Sequence, residues 1–192
     1  MPESKRHPQE SAMTTVSGVQ FTPFDPDPSD VRLEDVAHGL ANLCRASGQT
    51  QFFYSVGLHS IYVSQDLAAR GESRRRQLIG LLHDAQEAYI NDLVSPVKTH
   101  LDDYQSLEGG VEAVIWEAFD LDPTPEDMAV VKESDRRLCR HELGVVLPDA
   151  PEGQANTEVA YDLWAGEHRD VASWFADRAE QLIAATDATL PR

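Results

Sequence analysis

From residue 33 to residue 182 the apolar residues recur three and four positions apart, segment after segment, and nowhere alternate with polar ones long enough to demand a sheet. The chain therefore reads as an all-helical, single-domain bundle. The first stripe, Leu33, Val36, Ala37, Leu40, Leu43 and Cys44, predicts a helix ending at Ser47 and Gly48. Ser55 is a plausible N-cap for a second, through Val56, His59, Val63 and Leu67 to near Gly71. A third is expected over 73–89, with Leu78, Leu82, Ala85 and Tyr89 buried and Asn91, Asp92 and Pro96 closing it. A fourth spans 104–119, its pattern interrupted at Gly109 and Gly110. Thr124, Pro125, Glu126 and Asp127 read as the start of a fifth. Stretches 159–164 and 171–182 predict one or two terminal helices within 159–185. Residues 1–20 lack periodicity and read as a disordered tail or a remnant of expression, so the domain is placed at 21–192.

The chain carries 16 Lys and Arg against 33 Asp and Glu, a formal charge of −17, which repels nucleic-acid backbone and anionic membrane alike. Lysine occurs only at Lys5, Lys98 and Lys132, a bias that resembles proteins of salt-rich cytoplasm. Two cysteines far apart, Cys44 and Cys139, argue for buried thiols rather than a disulfide framework. No apolar run approaches the ~20 residues of a membrane span, and the N-terminus lacks a secretory core. A cytoplasmic protein without nucleic-acid or membrane partners is the expectation.

The run Leu81, Leu82, His83, Asp84, Ala85, Gln86, Glu87 sets an imidazole beside a carboxylate, with a second carboxylate one turn on. His59 and Asp135, each inside its own apolar pattern, complete a set of two histidines and two aspartates. Such a mixed nitrogen and oxygen site suits one divalent ion of Mn, Co, Fe, Ni or Zn, with Mg also admitted. It can acidify a bound water and polarise a phosphoryl oxygen. Glu87 is placed to take a proton and Asp92 to orient water or protonate the leaving oxygen, the two roles being exchangeable. Blander readings exist for each: His59 as a core histidine, Asp84 and Glu87 as solvated helix acids, Arg45 as a surface partner of Glu34 or Asp35. Arg74, Arg75 and Arg76 read as a solvated face or subunit contact, and Trp116, Trp164 and Trp174 as core or oligomer contacts.

Over about residues 31–142 the chain resembles the HD-domain metal-dependent phosphohydrolases, in the small branch containing bacterial deoxyribonucleoside 5'-monophosphatases and phage deoxyadenosine triphosphate triphosphohydrolases. The matching residues are Glu34 through Leu40; Leu43, Cys44 and Arg45; Phe53 through Val56 with His59 and Ser60; His83, Asp84, Glu87, Ala88, Tyr89, Asp92, Pro96, Val97 and Lys98; and Lys132 through Asp135. The resemblance implies a helical bundle around one metal held by His59, His83, Asp84 and Asp135. It further implies Glu87 as catalytic acid/base with Asp92 as its partner, Arg45 facing phosphate, and a nucleotide substrate in a homo-oligomer; Lys98, after Pro96, would add a second cation. The sequence departs from the pattern at Gln49, where relatives show His, and at Gly57 and Leu58, where a small and a polar residue are usual. The expected activity is hydrolysis of a deoxynucleoside monophosphate or triphosphate; the alternative is a non-catalytic, metal-dependent nucleotide sensor or assembly module.

Overall fold

The structure, a computed structural model, describes residues 12–148 and 160–191. Two short strands, β1 (Met13–Thr14) and β2 (Gln20–Phe21), precede helices α1 (Leu33–Asn42), α2 (Val56–Ala69), α3 (Arg74–Leu82), α4 (Glu87–Ile90), α5 (Ser95–Lys98), α6 (Asp102–Ala118), α7 (Pro125–Val146) and α8 (Val171–Ile183). Helix dominates, as the apolar spacing requires. α2 is buried nearly all round and packs against α1, α3, α7 and α8, so its side chains, His59 included, sit at the centre of the molecule.

Five expectations about the elements need correction. Of the expected tail, residues 1–11 lie outside the described residues, and 13–21 form an antiparallel hairpin, β1 with β2. Ser17 caps it onto α1 by donating from its backbone N and its hydroxyl to Asp35, both at 2.8 Å, while Phe21 is buried against Tyr89 with ring centroids 4.0 Å apart. α1 stops at Asn42 because the chain turns extended: Arg45 N–H donates to the Tyr54 carbonyl at 2.9 Å and Val56 N–H to that of Leu43 at 2.9 Å, so the backbone finds partners outside a helix. α6 passes through Gly109 and Gly110 unbroken; a Cβ at either would meet nothing within 4 Å. Residues 160–164 are not helical, only Ala165–Glu167 forming a single 3₁₀ turn; position 159 lies outside the described residues.

The largest departure concerns the helix expected over 73–89. α3 ends at Leu82, and the chain winds more tightly through His83–Gln86 before α4 begins: Ala85 N–H bonds Leu82 O at 2.9 Å and Glu87 N–H bonds Asp84 O at 3.0 Å. The His83 ring supplies a reason, since its Nδ1–H donates at 2.8 Å to the Gly80 carbonyl, the acceptor a continuing α-helix would offer to residue 84. α4 then approaches α1 closely. A Cβ on Gly39 would lie 2.9 Å from the Ala88 Cβ, and a Cβ on Gly57 3.0 Å from the backbone N of Ala41, so both glycines are contact points between helices.

α7 opens as its sequence indicates. Thr124 accepts from the Asp127 backbone N–H and Asp127 reaches back to Thr124, a reciprocal cap. The arginine run is not a free surface: Arg75 and Arg76 donate to Asp127 at 3.0 and 2.8 Å, and Arg76 also pairs with Glu72 and Glu126, clamping α3 to the start of α7. Burial disfavours ionised Asp127, but hydrogen bonds from Arg76 and Thr124 outweigh it and hold its carboxyl down at about 2. This depressed value favours the fold above the unfolded pKa and is lost as pH falls through about 2; screening at the partly exposed arginines limits it to about 1–2 kcal/mol. Urea unfolding of wild type and Asp127→Asn should differ by that amount at neutral pH and converge near pH ~2. A pH-independent difference would contradict the assignment. Among the described residues no helix is long and apolar enough to cross a membrane.

Candidate metal centre

His59 comes from the first turns of α2, His83 and Asp84 from the tight turn after α3, and Asp135 from the middle of α7. One ligand atom each from His59, His83 and Asp84 lies within 4.8 Å of the others. Asp135 stands outside that trio but beside it, its Oδ1 3.2 Å from His59 Nε2. The expected quartet is thus three groups mutually gathered and a fourth touching one of them. His59 is 0% exposed, and the rings of His59 and His83 lie 5.4 Å apart. In both, Nδ1 is committed: that of His59 faces Glu142 at 2.8 and 3.0 Å, that of His83 the Gly80 carbonyl. In both, Nε2 is buried and faces a carboxylate oxygen at 3.2 Å, that of Asp135 for His59 and that of Asp84 for His83, without a well-aligned hydrogen bond. Two buried imidazole nitrogens turned toward carboxylates are a donor set that a cation could bridge.

The charges of the set depend strongly on one another. Burial opposes ionisation of Asp84, but His83 outweighs it and holds the carboxylate well below its ordinary range. Burial likewise opposes a charged His83, and Asp84 reverses that, to about 9. Glu87 is the contrary case: burial, then the negative charges of Asp84 and Asp92, push its carboxyl up to about 10, and its Oε2 has no hydrogen-bond partner. Asp92, partly exposed at the exit of α4, is also raised, by burial, with Arg45 opposing and Asp84 adding to the shift. Two neighbouring acids are thereby held toward the protonated form beside an ionised one.

Arg45, on the extended segment after α1, does not pair with Glu34 or Asp35. Its guanidinium lies 3.8 Å from Asp84 Oδ2 and 3.8 Å from Glu142 Oε2. Lys98 is paired with Glu108 of α6, so it is not the unengaged phosphate cation its position suggests. Sequence reasoning missed Glu142, fully buried on α7, and Tyr54, whose hydroxyl adjoins it. A signal for Glu142 exists: it follows Asp135 by seven residues, two turns along the same face of α7. It also missed Glu112, half-buried on α6 near Asp84 and His83.

No family model matches the chain. Two relatives do. It is 35% identical over 113 residues to the uncharacterized protein YfdR of Escherichia coli (strain K12), an alignment covering 59% of the chain and 61% of that protein. It is 38% identical over 136 residues to the uncharacterized protein RCAP_rcc00048 of Rhodobacter capsulatus, covering 66% of the chain and 68% of the relative. The chain belongs to the family of this Rhodobacter protein. Family membership extends over most of the helical domain and brings no activity with it. What the site does has to come from its own geometry.

Proposed function

We propose that the chain is a divalent-metal-dependent phosphohydrolase of the HD-domain type acting on a nucleotide, a deoxynucleoside monophosphate or triphosphate. The observation that carries this reading is the convergence of two buried imidazole Nε2 atoms with Asp84, all within 4.8 Å, beside the buried carboxyl of Glu87. His59, His83 and Asp84 would hold the ion, with Asp135 closing the set, and nitrogen and carboxylate donors suit Mn, Co, Fe, Ni or Zn. When bound, the ion supplies acidification of water and polarisation of a phosphoryl oxygen.

The remaining steps belong to the chain. Arg45, partly exposed and always charged, offers a fork of donors to phosphoryl oxygens beside Asp84. Glu87, held toward its protonated form, would give a proton to the leaving oxygen, and Asp92 would serve the complementary transfer. Tyr54 and Glu142, both buried, keep water from the inner side. A panel of deoxynucleotides with added Mn, Co or Mg tests this reading: the expected product is phosphate from monophosphates or tripolyphosphate from triphosphates. Nucleotide binding by calorimetry without any product, with the ion saturating, overturns the enzyme reading and leaves a sensor.

A further inference from the structure

Resting on that reading of the centre, we propose that Glu142 is a positioning residue whose single carboxylate fixes both the cation-facing His59 and the anion-facing Arg45. Its two oxygens lie 2.8 and 3.0 Å from His59 Nδ1, and Oε2 is also 3.8 Å from Arg45 Nε. It is 1% exposed, so the interaction is not diluted by water. Glu142 in turn sits on rigid ground, in the last third of α7, two turns from Asp135.

Each contact has a chemical consequence. An ionised carboxylate only accepts, so it requires the proton of neutral His59 on Nδ1 and leaves the Nε2 lone pair facing His83, Asp84 and Asp135. The opposite tautomer would put an N–H where the ion belongs. The same carboxylate lies 3.8 Å from Arg45 Nε while Asp84 lies 3.8 Å from Arg45 Nη1, so the anion-binding fork is kept beside a cation ligand instead of swinging to solvent. Glu142 touches neither the ion site nor the space a phosphate would occupy; it acts through His59 and Arg45. A residue that merely filled the core would show no preference between carboxylate and amide.

The test uses the full chain and three readouts. In the cation-free wild type, ¹⁵N shifts of the His59 ring, recorded with the ring neutral, should show the proton on Nδ1. Titration of Mn or Co by calorimetry should show Glu142→Gln binding about 10- to 100-fold more weakly, with Glu142→Asp recovering part of the loss. Inorganic phosphate, titrated onto the cation-loaded protein, should weaken in Glu142→Gln as well, whereas Arg45→Met should weaken phosphate and leave cation affinity unreduced. The inference is overturned if Glu142→Gln binds the cation as the wild type does, or if His59 carries its proton on Nε2. Should Glu142 variants fail to fold, the wild-type ring spectrum alone decides. If the wild type binds no cation while the ring is as expected, it is the proposed function that fails.

Discussion

Replacing Glu87 with Gln is expected to abolish turnover and, in the cation-free protein, to raise the melting temperature. Loss of a positioned proton-transfer group costs about 10²- to 10⁴-fold in rate. The stability gain follows from the same environment. In the fold the Glu87 carboxyl is raised to about 10 by burial and by Asp84 and Asp92. In the unfolded chain it ionises near its ordinary value. A carboxyl raised on folding leaves the native state unpenalised below the unfolded pKa and penalised increasingly above it, so at neutral pH Glu87 costs about 1–3 kcal/mol that an amide does not. Unfolding curves of wild type and variant should therefore separate at neutral pH and draw together as pH falls toward ~4.5. Calorimetric cation affinity should remain close to wild type, since the donors His59, His83 and Asp84 are untouched. Equal or lower stability of the variant at neutral pH, with unchanged turnover, would return Glu87 to the role of an ordinary buried acid.

Arg137→Ala should be among the most destabilising single substitutions. Arg137 on α7 pairs with Asp66 on α2, and Asp66 is 0% exposed; among the described residues its Oδ2 is unpartnered and the Tyr161 hydroxyl, 3.5 Å from Oδ1, is the one further hydrogen-bond neighbour. Removing the arginine strands a carboxylate in the interior, a loss of about 3–5 kcal/mol. In a chain of this size that lowers the melting temperature by roughly 10 °C. The double variant Asp66→Ala with Arg137→Ala should be more stable than Arg137→Ala alone, because no charge is left unpaired. A single-variant loss below about 1 kcal/mol would show that water or Tyr161 already compensates Asp66.

The helical class, the Ser55, Ser73 and Thr124 starts and the position of His59 inside the bundle were legible because apolar spacing and capping act locally. The broken helix at His83 was not, because its cause is a side chain bonding the carbonyl three residues back, which competes with helix continuation only once the ring is oriented. The end of α1 escaped for a similar reason: residues 43–45 look helical by spacing, yet they pair with 54–56, a contact no window of local sequence contains. Within the site, identity pointed to His59, His83 and Asp84, since these residue types seldom share an apolar core without a purpose. The engagement of Lys98 with Glu108 depends on how α6 lies against α5, which spacing does not encode. Glu142 hid in plain pattern, one more acid in a chain carrying 33 Asp and Glu.

Gly39 has a reach beyond its own helix. The backbone of α1 meets Ala88 where a Cβ would come within 2.9 Å, and Ala88 is the immediate neighbour of Glu87. A single methyl group added there, on a helix that contributes none of the candidate ligands, would act as a shim, pushing the turn that bears the Glu87 carboxyl outward along with it. The spacing of the candidate centre is in this sense gauged from outside, by a hydrogen atom standing where every other amino acid carries carbon.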